Sequence, residues 1–116
     1  MEGRTGYGVE TMRAVLVVTD LMARSRLQQA ATEAGYEVSA LRRVPDPEAE
    51  APDILVVDLD LPGALDATTV WRQAHPAVRV VGFAFHVEGD LIRRARDAGV
   101  EVVPHRATAR AARIFT

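Results

Sequence analysis

The sequence predicts a single α/β domain, a three-layer α/β/α sandwich around a parallel five-stranded sheet. Three continuous apolar runs, at residues 14–18, 54–57 and 78–83, have the composition of strands buried on both faces. Helical patterns alternate with these runs through short loops, which is typical of βαβ units. A length of 116 residues, with 48% apolar and 26% charged residues, fits one globular domain.

The N-terminal part is predicted to contain a tail, a strand and a helix. Residues 1–12 are glycine-rich and lack apolar periodicity, so we expect a flexible tail before a domain of residues 13–116. After the first strand, Asp20 is a suitable helix N-cap and Gly35 a suitable stop. These two residues bound a helix over 21–34.

The middle of the chain is predicted to lack an ordinary second helix. Residues 37–41 alternate weakly between apolar and polar, as an edge strand does. The following segment, 45–53, holds three prolines, so at most one helical turn fits there. The second helix is therefore truncated or missing before the buried strand at 54–58.

The C-terminal half completes the alternation of strands and helices. A helix is predicted over 64–74, with Trp71 packed inward, and the strand at 78–83 follows. The remaining predicted elements are a helix over 88–98 with Leu91, Ala95 and Ala98 on its apolar line, a strand at 100–103 and a short helix over 108–115.

Composition excludes several classes of function. The formal net charge of −2 does not favour binding to nucleic acid or to a membrane surface. Without cysteine there are no disulfides, thiolate nucleophiles or thiolate metal ligands. No apolar run approaches a membrane span, so we expect a cytoplasmic protein. All 14 basic residues are arginine, which removes lysine-dependent mechanisms.

Two aspartates follow predicted buried strands. Asp20 comes shortly after the first apolar run and Asp58 directly after the second. Because the carboxyl ends of parallel strands share one edge of a sheet, we expect both carboxylates in one site. Converging carboxylates bind hard cations such as Mg²⁺, and a metal-neutralised carboxylate can attack phosphorus. The simpler alternative is that Asp20 only caps a helix and Asp58 only ends a strand.

The chain resembles response-regulator receiver domains over residues 13–115, and four segments carry the resemblance. Residues 15–20 are similar to the first strand of that family, 30–38 to its first helix and turn, and 95–100 to the end of its fourth helix. The most specific match is 53–63, Asp-Ile-Leu-Val-Val-Asp-Leu-Asp-Leu-Pro-Gly, which resembles the phosphoacceptor strand and the turn after it.

The resemblance implies a flavodoxin-like fold with strand order 2-1-3-4-5. It implies that Asp58 is the phosphoacceptor and a metal ligand, that Asp20 is a second metal ligand, and that Asp60 contributes its backbone carbonyl to Mg²⁺.

Five positions depart from the receiver pattern. Thr19 occupies one of the two positions of the family's acidic pair after the first strand, so the metal site has one negative charge fewer. By alignment from Gly99, Ala84 falls on the switch hydroxyl, Phe85 on the small residue after it, Val103 on the switch aromatic and Arg106 on the nearly invariant lysine. Together these departures remove the relay from a phosphoryl group to the output surface, so the sequence predicts an atypical receiver that binds Mg²⁺ weakly.

Three functions follow from this pattern. The leading hypothesis is a stand-alone receiver-like module that acts in signalling by protein–protein interaction, is not an enzyme and is phosphorylated weakly or not at all. The alternative is a conventional single-domain response regulator, phosphorylated on Asp58 by a histidine kinase. A small metal-dependent phosphoryl-transfer enzyme is a third, weaker hypothesis, because its known Asp-x-Asp families need a lysine or a glutamate that is missing at the required places.

The distribution of charge indicates a protein partner. Residues 45–70 hold seven acids and no arginine, whereas 90–116 carry a net charge of +3. Arg93, Arg94 and Arg96 are predicted on the outer side of a helix that receivers commonly use for partners, although a solvated helix face explains them too. We also expect the missing helix to leave an apolar face that a partner or a second copy of the chain covers.

Overall fold

A parallel five-stranded sheet of order β2-β1-β3-β4-β5 forms the centre of the protein. The computed structural model describes residues 11–116. The strands are β1 (Met12–Val17), β2 (Tyr36–Leu41), β3 (Ile54–Asp58), β4 (Arg79–Ala84) and β5 (Glu101–Pro104). The helices are α1 (Leu21–Glu33), α2 (Ala64–Ala74), α3 (Asp90–Asp97) and a C-terminal 3₁₀ helix (His105–Arg113). The predicted fold class and strand order are confirmed, and so is the absence of an ordinary helix between β2 and β3.

Alternate side chains of the strands divide the core between the two faces of the sheet. On one face, Leu16 and Val56 pack with α1 and with the C-terminal residues, including Phe115. On the other face, Val17 and Val57 pack with α2 and α3. Trp71 of α2 is 1% exposed, as the sequence predicts. This two-sided burial explains why the central strands are continuous apolar runs.

Element boundaries differ from the sequence prediction mainly near the chain end and in α3. Strand β1 begins at Met12, whereas most of the predicted tail, residues 1–10, lies outside the described residues. Helix α3 begins at Asp90 because Gly89 precedes it with a φ of +105°, a conformation that helices do not continue. The predicted apolar line of α3 was right at Ala95, which is buried, but wrong at Leu91, which is 60% exposed while its neighbour Ile92 is buried.

The C-terminal helix also differs from its prediction. It begins at His105, three residues before the predicted start, and it is kinked at Arg110, where φ is −122° and ψ is 48°. Within residues 11–116, no helix has the length and apolar character needed to cross a membrane.

The loop between β2 and β3 covers part of the face that a second helix would otherwise cover, and Leu41 of β2 on the same face is 38% exposed. Val44 and Ala51 pack against the core on the α2 side, and Pro52 is buried. Its acids Asp46 and Glu48 are exposed. The loop is therefore a partial lid, because its few apolar residues face inward while its acids face water. The prediction that a second chain or a partner covers the rest of this face stays a prediction.

Hydrogen bonds hold the loop at its C-terminal end and near its middle. The Arg13 N–H donates to Asp53 Oδ2 at 2.7 Å, and the Asp53 N–H donates to the Arg13 carbonyl at 2.8 Å. Near the middle of the loop, His75 Nε2–H donates a hydrogen bond to the Pro47 carbonyl oxygen at 2.7 Å. A segment without a helix is thus held on the sheet by local polar contacts.

Replacement of Gly82 in β4 by alanine should disturb the turn that follows β3. A Cβ at Gly82 would lie 2.6 Å from Leu59 Cδ1 and 2.8 Å from Leu59 Cγ. We expect Gly82→Ala to lower the free energy of unfolding by about 1–2 kcal/mol, through overpacking. Urea unfolding measures the loss. The control introduces Gly82→Ala into a Leu59→Ala background, where it should lower the free energy of unfolding much less. An equal loss of unfolding free energy in both backgrounds would contradict the contact.

Candidate functional site at the carboxyl edge of the sheet

Asp58 ends a strand that is buried along its whole length. Residues 54–57 are at most 1% exposed, and Asp58 itself is 8% exposed. Strand β3 pairs with β1 on one side and with β4 on the other, where Asp58 lies opposite Phe83. The topology therefore presents one carboxylate at the centre of the sheet edge, where ligand sites of such folds lie.

Asp60 organises the turn after Asp58 with both its backbone and its side chain. The Asp60 N–H donates to Asp58 Oδ1 at 2.9 Å, and the Phe85 N–H donates to Asp60 Oδ2 at 2.9 Å. Leu59 continues the β3–β4 pairing, because its N–H donates to the Phe83 carbonyl at 2.9 Å. The turn after β3 and the loop after β4 are thus fixed to each other at the site.

Burial raises the pKa of Asp58 above the ordinary value of 3.8. The hydrogen bond from the Asp60 N–H acts in the opposite direction and lowers the pKa, whereas the Asp60 charge raises it. Smaller contributions come from His105, which lowers the pKa, and from Asp20, which raises it. Three charged side chains from separate parts of the chain therefore act on this one carboxylate.

Asp20 caps helix α1, as one of the two sequence interpretations predicts. Asp20 Oδ1 accepts the Met22 N–H at 2.9 Å and the Ala23 N–H at 3.1 Å. Its negative charge also reaches Asp58. Capping and proximity to Asp58 are therefore compatible roles of this residue.

The residues that could hold a metal form a small donor set. Asp20 and Asp58 supply carboxylates at this edge, and the turn supplies the Asp60 carbonyl. In the described part of the chain, no three acidic or histidine side chains are grouped as metal ligands. Mg²⁺ retains several water molecules and can be bound by one or two carboxylates, so this donor set is compatible with the ion.

A stacked pair of aromatic rings borders the site. The rings of Phe85 and His105 are parallel within 10°, with centroids 4.0 Å apart, and His105 also meets the edge of Phe83 at 5.4 Å. In the register of β4 with β5, Ala84 lies opposite Pro104, so Phe85 and His105 follow the two strands at corresponding positions. Sequence reasoning did not single out His105 as a site residue.

Comparison with known proteins begins with the sequence. No family model matches the chain. A transcriptional activator protein, ExaE of Pseudomonas putida, is 42% identical over 69 residues. That similarity covers 58% of this chain and 31% of the relative, so the chain spans less than a third of the relative's length.

Solved structures match a much larger part of the chain. A CheY-like response regulator receiver domain of Methanospirillum hungatei aligns with a TM-score of 0.72 and 16% identity, covering 90% of this chain and 93% of that one. The chain has the receiver fold. An orphan response regulator of H. pylori gives a TM-score of 0.70 and 18% identity over 90% of this chain and 93% of that one.

A third solved structure is a Burkholderia pseudomallei response regulator with a phosphorylated aspartic acid, a calcium ion and citrate. It aligns with a TM-score of 0.67 and 15% identity, over 80% of this chain and 58% of that one. At such identities the comparison establishes the fold alone.

The predicted switch positions of this receiver fold lie in different environments. Ala84 is 1% exposed, and Val103 is half-buried against the core on the α1 side. Arg106 is exposed, in the first turn of the 3₁₀ helix. Phe85 is 67% exposed despite its stacking on His105. Among the basic side chains of residues 11–116, the one whose charge acts on Asp58 is His105.

The three arginines predicted for a partner surface are exposed on α3, but two of them have intramolecular partners. Arg93 pairs with Asp90, and Arg94 pairs with Asp66 at 2.9 Å. The net positive charge of this helix face is therefore smaller than the sequence indicates.

Replacing His105 by asparagine should raise the pKa of Asp58, because the positive charge of the protonated ring stabilises the ionised carboxylate. A ¹³C NMR titration of the Asp58 carboxyl carbon measures the change. His86→Asn and Arg106→Gln serve as controls and should leave this pKa unchanged. An increase in Arg106→Gln but not in His105→Asn would mean that the arginine acts on Asp58 instead.

Replacing Asp58 by asparagine should stabilise the protein at neutral pH. Folding raises the pKa of Asp58 above 3.8, so the ionised carboxylate is less stable in the folded state than in the unfolded chain. This lowers the free energy of unfolding fully above the folded pKa, and not at all below 3.8, where Asp58 is protonated in both states. We expect the melting temperature of Asp58→Asn to rise by about 2–5 °C at pH 7, and the gain to vanish as the pH falls below 3.8. The exposed Asp97→Asn is the matched control and should show no such gain; a destabilised Asp58→Asn at pH 7 would contradict the account.

Proposed function

We propose that this chain is an atypical member of the receiver family that acts in signalling by binding proteins, with weak or no phosphorylation at Asp58. The observation that carries the proposal is the stacked pair of Phe85 and His105 beside a buried aspartate, directly after Ala84.

The aromatic pair restricts the approach of a phosphodonor. The two residues that carry these rings lie next to the site, because the backbone N–H of Phe85 donates to Asp60 and the charge of His105 acts on Asp58. A phosphorylated donor must bring its phosphorus in line with the Asp58 carboxylate. In this proposal the rings lie across that path, and moving them apart costs their stacking contact.

The relay from a phosphoryl group to the rest of the domain is also incomplete. In the alignment with receivers, Ala84 occupies the position of a hydroxyl residue and Val103 that of an aromatic residue. A methyl group cannot donate a hydrogen bond to a phosphoryl oxygen, and valine has no ring that could change its orientation. Phosphorylation that does occur should therefore leave the distant surface largely unchanged.

Weak Mg²⁺ binding is part of the proposal. Asp20 and Asp58 would bind the ion through carboxylate oxygens and Asp60 through its carbonyl, and Thr19 adds no charge to this set. The calcium ion of the Burkholderia pseudomallei regulator belongs to that protein, but it is a reason to measure divalent metal binding by this chain.

The alternative is a conventional regulator phosphorylated on Asp58 by a histidine kinase. Its support is the buried Asp58 with Asp60 and Asp20 acting on it, at the edge where this fold places its chemistry. The similarity to a transcriptional activator also favours a signalling role.

Incubation with acetyl phosphate and Mg²⁺, followed by intact-mass analysis, distinguishes the two. We expect a minor phosphorylated fraction in the natural chain and a fraction at least threefold larger in Phe85→Ala, because removal of the ring opens the path to Asp58. Asp58→Asn is the control and should gain no phosphoryl mass.

Complete phosphorylation of the natural chain would favour the conventional regulator. So would NMR shifts that spread from Asp58 to Val103 on addition of beryllofluoride and Mg²⁺. Shifts confined to the site would agree with the proposed interaction module.

A further inference from the structure

A cavity of about 230 Å³ lies where the lid formed by the β2–β3 loop meets the turn after β3. Val17 and Val44 line one side, and Leu61 and the first turns of α2 line the other. The cavity is next to the Asp58 turn but separate from the Asp58 carboxylate, which is not part of its lining. Its interior is mainly apolar.

Two arginines form the charged part of this cavity. Arg42 and Arg43 line it, and both residues are exposed. Within residues 11–116, neither forms an ion pair, in contrast to Arg93 and Arg94 of α3. No acid belongs to the lining, since the carboxylates of the loop lie elsewhere. The cavity therefore combines an apolar interior with positive charge that the described residues leave unneutralised.

The volume of the cavity restricts the kind of occupant. Small-molecule sites usually measure about 300–1,000 Å³, and this cavity is smaller. It suits one apolar side chain rather than a whole cofactor. Single side chains that fill such pockets often dominate the energy of protein–protein interfaces, while charges at the rim add specificity.

We propose that this cavity binds an acidic peptide segment of a partner protein, with one aliphatic side chain in the apolar interior and carboxylates against Arg42 and Arg43. The inference rests on the proposed function as an interaction module and specifies where the partner binds. It assigns the partner surface to the edge where the second helix is missing, rather than to the arginines of α3.

NMR titration of the ¹⁵N-labelled full chain tests this inference. The probes are three capped pentapeptides: leucine between two pairs of glutamates, alanine between two pairs of glutamates, and leucine between two pairs of lysines. We expect the acidic leucine peptide to shift the amide signals of Val44 and Gly63. The alanine peptide should bind several-fold more weakly, and the lysine peptide should produce no shifts at these amides.

Matched variants separate charge from cavity shape. The double variant Arg42→Ser/Arg43→Ser should weaken binding about fivefold, as expected for the loss of two exposed ion pairs. The double variant Arg93→Ser/Arg96→Ser should bind as the natural chain does. Ala67→Leu keeps both arginines but partly fills the cavity, and it should also weaken binding. Circular dichroism establishes that each variant is folded.

Four outcomes would overturn the inference. These are shifts of equal size with inorganic phosphate alone, stronger shifts with a short oligonucleotide, shifts that map to α3, and cavity signals that change with protein concentration in the absence of peptide. The last would identify a second copy of the chain as the occupant. The peptide titration contains no phosphodonor and no Mg²⁺. If no peptide binds, the inference about the cavity is wrong, whereas the proposed function is tested separately by the phosphorylation experiment.

Discussion

The burial of Asp58 at the end of β3 is the constraint around which the site is arranged. Strand β3 is enclosed by β1 and β4 at its sides and by both layers of the core above and below. A carboxylate at the end of such a strand loses hydration, which is the largest influence on its pKa. The Asp60 N–H replaces part of that hydration by donating to Asp58 Oδ1. The same residue then accepts the Phe85 N–H, so the support of one buried carboxylate also positions the neighbouring loop.

The sheet and Asp58 could be predicted because their signals are local in the sequence. A strand buried on both faces requires a continuous apolar run, and 54–57 satisfies this requirement without reference to any other segment. Helix α2 was predicted with its observed bounds, Ala64–Ala74, since Pro62 and Gly63 mark its start. Helix α3 was less accurate, because Leu91 and Ile92 are adjacent apolar residues and the sequence does not determine which of them faces the core.

Features that depend on tertiary contacts could not be predicted in the same way. His105 meets Phe85 only because β4 and β5 pair with Ala84 opposite Pro104, a register that neither strand specifies alone. The loop before β3 was judged by its content of acids, yet its path is set by Arg13 and His75, which hold Asp53 and Pro47 from other elements. Likewise, the partner of Arg94, Asp66, becomes apparent only once α2 and α3 lie side by side.

The charge of a surface available to a partner depends on which of its groups are already paired. Arg94 on α3 already shares its charge with Asp66, so an acidic partner must compete with an intramolecular carboxylate at that point. Exposed ion pairs contribute at most about 1 kcal/mol, and exchanging one pair for another yields less. Arg42 and Arg43 require no such exchange with the described residues, and they border an apolar cavity whose filling adds burial to the Coulomb attraction. A surface with fewer arginines can therefore favour binding more than one with a larger formal charge.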